Sequence, residues 1–370
     1  MLEQADPREW IGRELEQVET PALLVDLDAL EHNLALMAGF FAGRAAGLRP
    51  HAKTHKCPEI ARRQLALGAV GITCAKLGEA EVLAASGVGD ILIANQVVDA
   101  AKLQRLAALA GRVHLTVAVD DAANVAALGE AARQCGATIH VLVEVDIGMG
   151  RCGVAPGRPA LALAQQVAAT AGLAFAGLMG YEGHLVLTRD PQERKTKVEA
   201  ALELLLDTKR LIEEWGLPVG IVSGGGTGTY DVTGSFPGVT EVQAGSYVFM
   251  DTTYREIRPE FQLSLFLLAT VISRVDPSRV IIDAGHKVLT SEFGAPQVLG
   301  VPGAGSLRLS EEHGRIPLAE PEQVSLRPGQ RVRILPSHCC TTTNLHDHLL
   351  AVRKGVVEDV WPIAARGRSQ

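Results

Sequence analysis

The chain lacks the features that would mark a polyanion-binding, membrane-spanning or disulfide-stapled protein. Its 370 residues carry 35 Lys and Arg against 42 Asp and Glu, a net charge of -7, which argues against nucleic acid or an anionic membrane surface as the main partner. Long hydrophobic runs are missing: the longest apolar stretch, residues 263–272, is interrupted by Ser and Thr and is too short to span a bilayer. Residues 1–19 are mixed and acidic, without the charged-then-apolar order of an export signal, so the expected location is the cytoplasm. Cysteine is scarce. The six (Cys57, Cys74, Cys135, Cys152, Cys339 and Cys340) match no secreted framework and are expected to be reduced. Aromatic residues make up only 4% of a chain that is 47% hydrophobic, which leaves Leu, Val, Ala and Ile to fill a sizeable core.

What is present is a repeating unit. Between about residues 20 and 250, short apolar runs alternate with Gly-containing turns and Ala-, Leu- and Glu-rich helical segments such as residues 195–215. The runs fall at residues 21–25, 70–74, 91–94, 113–119, 140–145, 175–179 and 219–222. About eight such units match an α/β fold built as a (β/α)8 barrel, although a doubly wound open sheet has the same local period. After residue 255 the runs at 265–275, 279–283 and 330–335 are separated by Gly, Pro and charged turns without long helical patterns, as in a mainly β second domain. The expected division is a barrel over residues 18–255 and a β-domain over 256–370, with residues 1–17 packing on the latter.

Several apparent strand ends carry reactive side chains. Arg49-Pro50-His51-Ala52-Lys53-Thr54-His55-Lys56 places a lysine among cations and histidines. Positive charge crowded around an amine lowers its pKa and frees the lone pair for imine chemistry. A solvated basic turn is the plainer reading of the same residues. Ser223-Gly224-Gly225-Gly226-Thr227 follows an apolar run and suits an anion held by backbone amides and hydroxyls, but without the Lys of a nucleotide-binding P-loop. Gln243-Ala244-Gly245-Ser246-Tyr247 offers to close the same cradle. Tyr181, Glu182 and His184 occur within four residues, and His184 is a candidate general base. Arg151 is either an anchor for an anionic oxygen or an ordinary ion-pair partner. His338 and Cys340, in H-x-C spacing, offer an imidazole and a thiolate to one divalent ion and leave coordination positions open. His346, Asp347 and His348 compete as ligands, with Asp347 also a candidate to support the ligands from behind.

The order of these segments, opening with Glu19-Thr20-Pro21-Ala22-Leu23-Leu24-Val25-Asp26-Leu27-Asp28 and including Gly150-Arg151-Cys152-Gly153, resembles the metal-activated D-threonine aldolase and D-serine dehydratase group of pyridoxal phosphate (PLP) enzymes, relatives of alanine racemase. The likeness runs from about residue 18 to 365. It implies a PLP-binding (β/α)8 barrel joined to a β-domain, working as a homodimer with active sites at the domain interface. It makes Lys53 the cofactor lysine and gives the cofactor phosphate to Ser223, Gly225, Gly226 and Thr227, with Gly245 and Ser246 nearby. Tyr181 would approach the pyridine nitrogen and Arg151 the phenolic oxygen side of the ring. His338 and Cys340 would hold Zn, Mn or Mg beside the β-hydroxyl of a small D-amino acid substrate.

Two outcomes stay open at this point. With His184 as base the implied reaction is retro-aldol cleavage to glycine and an aldehyde. With Lys53 removing the Cα proton it is dehydration to a keto acid and ammonia. His184 stands where aldolase-like members carry a base, whereas cysteine at position 340 is the dehydratase-like choice over the aspartate of the aldolase pattern. Racemisation is disfavoured, since none of the four tyrosines (Tyr181, Tyr230, Tyr247, Tyr254) lies beyond residue 260 to act as a second base. A non-catalytic PLP carrier would need no metal pair, and a structural zinc domain would need a four-ligand cluster that the other cysteines and histidines do not suggest.

Overall fold

The computed structural model describes residues 6–370. The chain divides into two compact units, each drawn from separate stretches of sequence. One comprises Leu36–Lys53, Pro58–Gly245 and Gly367–Gln370; the other takes residues up to Ala35 together with Thr54–Cys57 and Ser246–Arg366.

The first unit is built on eight parallel strands: Gly47–Leu48, Ile72–Cys74, Asp90–Ile93, His114–Val119, Ile139–Glu144, Leu173–Met179, Ile221–Gly224 and Glu241–Val242. From Ile72–Cys74 onward each pairs with the next in chain order, and the last pairs with the first through Gly47 and Glu241. Bonds from Val70 N to Leu48 O (2.8 Å) and Thr73 N to Pro50 O (2.9 Å), with a bridge between His51 and Thr73, close the sheet into a barrel. Strand Ile139–Glu144 is buried almost throughout, as a parallel strand covered on both faces must be. Inside, Leu92, Ala118, Leu142 and Met179 form a layer against which Ala94, Ala176 and Ile221 pack.

The helices between strands begin where the local chemistry allows. Asp99, Asp121 and Asp190 each cap a helix by accepting a hydrogen bond from the amide three residues on, and Gly136 closes helix Ala122–Cys135 in the left-handed conformation.

Two barrel strands escape the periodicity reading because Gly47–Leu48 and Glu241–Val242 are only two residues long and carry no apolar run. Glu241 instead pairs with buried Arg49 (2.8 Å), which also reaches Asp90 (2.6 Å). Conversely, the run at residues 21–25 does not join the barrel as the sequence suggests. Strand Ala22–Asp26 pairs antiparallel with Leu265–Ser273 and parallel with His348–Arg353 in the other unit. A short apolar run states that a strand exists but not which sheet it completes.

That second unit holds a nine-stranded sheet in which every pairing except the one between Ala22–Asp26 and His348–Arg353 is antiparallel. Val18, Ala22, Leu24, Leu268, Leu350, Val352, Val357 and Val360 form its core. Trp10 and Leu15 pack on that core, and Gly12 and Leu15 donate to the carbonyls of Val357 and Gly355. The part of the expected N-terminal packing that concerns residues 1–5 lies outside the described residues. Strand Arg331–Leu335 leads into the one-turn helix Cys339–Thr343. Among the described residues no helix is long and apolar enough to cross a membrane.

Candidate active site

The candidate metal-ligand pair, His338 and Cys340, stands at the entry to helix Cys339–Thr343, where His338 occupies the cap position with extended backbone. The ligand atoms of His338, Cys339 and Cys340 lie within 4.8 Å of one another, the one group of its kind among the described residues. Donors that close fit a single ion with bonds of about 2.0–2.3 Å, and nitrogen with sulfur is a donor set that suits zinc. Behind them is a residue the sequence reading missed. Asp251, fully buried, lies 2.9 Å from His338 Nδ1 through its Oδ2, which also accepts from the Cys339 amide (3.3 Å). Its Oδ1 accepts from the amides of Thr253 (3.1 Å) and Tyr254 (2.8 Å). A carboxylate on one ring nitrogen fixes the imidazole and leaves the other nitrogen for an ion. Nothing near position 251 advertises this, because the contact spans 87 residues.

Burial opposes a charge on His338, but hydrogen bonds to Asp251 and Cys340 outweigh it and push the imidazole up to about 10. Burial, reinforced by Cys340, pushes the Cys339 thiol well above its ordinary value, which sets it apart from a ready thiolate ligand. Thr54 Oγ1 lies 3.3 Å from Cys340 Sγ.

The competing ligands are engaged elsewhere. His346 Nε2 meets the Val288 carbonyl at 2.7 Å, Asp347 pairs with Arg366 at 2.6 Å, and His348 opens a strand.

Lys53, half-buried, lies on the single turn Ala52–Thr54 just beyond barrel strand Gly47–Leu48. Its companions do not form a solvated basic turn: His51, His55 and Lys56 are 7%, 0% and 7% exposed. The next groups come from loops after successive barrel strands, at the end where barrel active sites are built. Arg151 lies over the Tyr181 ring at 5.7 Å, and a side chain at Gly226 would come within 3.3 Å of the Tyr181 hydroxyl. These three residues therefore share one neighbourhood. His184, exposed, borders Gly148, whose amide donates to Asp146 Oδ1 (3.0 Å). The Gly150 amide, ahead of the smaller opposing effect of burial, together with the Gly148 amide, holds Asp146 below the usual carboxylate range, so a negative charge faces His184.

The Gly-rich loop is shaped from within by Glu182, which is fully buried. It accepts hydrogen bonds from the Gly225 amide (3.1 Å), Thr229 Oγ1 (2.8 Å) and Thr233 Oγ1 (2.5 Å). The Gly226 amide donates to Thr229 Oγ1 (3.2 Å). Two of the amides that the sequence offers to an anion thus hold the loop itself. Glycine is required here: Gly225 has φ +76°, and a Cβ at Gly228 would stand 1.9 Å from the Val186 carbonyl. Ser223 Oγ receives the Gln243 amide nitrogen at 2.8 Å. Thr227 is buried, and Gly245 leads into the turn Ser246–Val248, in which Ser246 bonds to the Cys339 thiol.

Family models match the two halves of this arrangement in turn. Residues 25–253 fit the alanine racemase N-terminal domain, and residues 264–352 the putative serine dehydratase domain. The D-threonine aldolase of an Arthrobacter species is 45% identical over 97% of this chain and 96% of its own. The chain belongs to the D-threonine aldolase and D-serine dehydratase family. Other members similar to it include the 3-hydroxy-D-aspartate aldolase of Paracoccus denitrificans, 36% identical over 96% of this chain and 94% of its own. The crystal structure of D-threonine aldolase from Filomicrobium marinum superposes with a TM-score of 0.94 at 43% identity, covering 96% of this chain and 98% of that one. Alanine racemase from Clostridium difficile, at 13% identity and a TM-score of 0.74, shares the fold alone.

Proposed function

We propose that this chain cleaves D-3-hydroxy amino acids to glycine and an aldehyde, with PLP carried on Lys53 and a divalent ion on His338 and Cys340. It is a lyase. The observation that carries the reading is the near full-length likeness to the Arthrobacter D-threonine aldolase, together with His184 placed beside a carboxylate at the barrel mouth.

PLP, when bound, supplies an electron sink for the bond broken at Cα. The protein's part is to hold and to move a proton. Arg151 and Tyr181 would flank the ring, and Ser223, Thr227 and the glycine loop, with Gly245 and Ser246, would meet the phosphate. Glu182 keeps that loop in shape. His338 and Cys340 would bind the ion that orients the substrate hydroxyl, with Asp251 steadying the imidazole. Zinc suits this donor set best, with Mn and Mg as further candidates. Two structures of D-threo-3-hydroxyaspartate dehydratase support the pair, being mutants of a histidine and of a cysteine two positions apart, the latter in the metal-free form. His184 would take the β-hydroxyl proton, and Asp146 would favour the imidazolium that results. A homodimer in the cytoplasm remains part of this reading, and light scattering on purified protein measures the first.

A second reading has one specific feature in its favour. Cys340 is the dehydratase-like ligand, and the Delftia dehydratase is 32% identical over 88% of this chain. Product analysis separates the two. Purified protein with PLP and Zn or Mn should convert D-threonine to glycine and acetaldehyde. Appearance of 2-oxobutanoate and ammonia instead would establish the dehydratase.

A further inference from the structure

We infer that Phe293 and Glu292 select the side chain of the substrate, favouring a neutral alkyl or aryl group on the β-carbon over a carboxylate. The inference rests on the reading above, in which the ion on His338 and Cys340 orients the β-hydroxyl. Whatever else that carbon bears must then lie beside the ligands.

Two further side chains stand there, Phe293 and Glu292. The Phe293 ring meets the His338 ring edge-on, with centroids 4.6 Å apart and planes at 64°, yet half of Phe293 is exposed (50%). A large apolar side chain left open beside a metal ligand offers contact area to something that binds there. Glu292 accepts a hydrogen bond from Thr341 Oγ1, one residue beyond Cys340.

The segment that carries both residues is tied down. Thr290 Oγ1 bonds to Thr341 Oγ1 (2.9 Å) and Thr342 Oγ1 (3.0 Å), Ser337 Oγ donates to the Thr290 carbonyl (3.1 Å), and His346 holds the Val288 carbonyl. Both flanks of the ligand pair are thereby fastened to the same segment. None of the residues joined by these contacts is Lys or Arg, so beyond the ion itself they offer no positive charge to a second substrate carboxylate. A phenyl or methyl group gains contact with Phe293, whereas a carboxylate meets Glu292 as a like charge. The relatives named for threonine and for 3-hydroxyaspartate differ in this substituent, methyl against carboxylate.

The test compares wild type, Phe293→Ala and Glu292→Gln as holoenzymes on D-threonine, D-3-phenylserine and 3-hydroxy-D-aspartate. Calorimetry on the zinc-loaded proteins with 3-hydroxybutanoate, 3-hydroxy-3-phenylpropanoate and malate gives the same three substituents on ligands without the reacting amine. Phe293→Ala should lower the phenyl-to-methyl ratio of kcat/KM and of affinity about tenfold, and Glu292→Gln should raise the carboxylate-to-methyl ratio about tenfold. Ratios within about twofold of wild type in both variants would overturn the inference. So would an equal loss on all three substrates accompanied by weaker zinc binding in chelator competition, since Phe293 would then only steady His338. If wild type released no aldehyde, the aldolase reading would fall, and the calorimetric ratios would still decide the selectivity.

Discussion

The metal turn and the barrel mouth solve the same problem of placing reactive groups by opposite means. His338 and Cys340 are two positions apart and owe their closeness to local backbone, an extended cap residue followed by one helical turn. At the mouth, Arg151, Tyr181 and Gly226 are spread over some 75 residues and owe theirs to successive parallel strands that end on one side of the sheet. His338 is backed by Asp251 and both flanks of the turn are tied to the segment around Thr290, whereas the mouth depends on the closure of the whole barrel. The local site is legible as a spacing; the assembled one is legible only as separate motifs at strand ends.

The largest effects should come from the reactive groups themselves. Lys53→Ala should remove turnover and the absorbance of bound PLP together, leaving zinc binding intact. His184→Ala should lower retro-aldol kcat about 100- to 10,000-fold while PLP stays bound. Glycine release at the wild-type rate would take His184 out of the mechanism.

Asp251→Asn probes the support behind His338. Zinc affinity in chelator competition should fall about 10- to 100-fold, with the barrel site still loading PLP. If PLP binding fell in parallel with zinc, the two regions would not be separable in the way drawn above.

The pH dependence follows from His338. With its pKa raised from 6.5 to about 10, the imidazolium stabilises the metal-free fold fully below pH 6.5 and ceases to do so as pH rises through about 10. An ion needs the neutral ring and competes with that proton. Zinc affinity should therefore climb by up to about tenfold per pH unit towards pH 10, and a flat profile would mean that the proton is not held there.

The smallest effects test the barrel's distributed support. Glu182→Gln weakens a buried carboxylate that serves three donors and should cost roughly 1–3 kcal/mol in denaturant unfolding, with a raised requirement for PLP. Asp121→Ala removes a helix cap far from any reactive group and should cost about 1 kcal/mol with kcat unaltered.

Legibility followed range. The repeating apolar runs announced six of the eight barrel strands, because each buried strand must be apolar over its own length. Gly47–Leu48 and Glu241–Val242 stayed hidden, since a two-residue strand with an inward Glu241 has no pattern to display. The candidate pair His338 and Cys340 was visible as spacing and was preferred over His346, Asp347 and His348 from the sequence. The structure adds that the Val288 carbonyl and Arg366 already engage His346 and Asp347.

By itself the sequence determined the α/β repeat, the family and the inventory of reactive groups, all of which are written in residue type and short spacing. Only the tertiary structure decided that residues 22–26 complete the antiparallel sheet, that Asp251 stands behind the metal ligand, and that Glu182 shapes the glycine loop from inside. The physical reason is that a hydrogen bond or a strand pairing is set by distance in space, and the chain can close that distance between residues dozens or hundreds of positions apart.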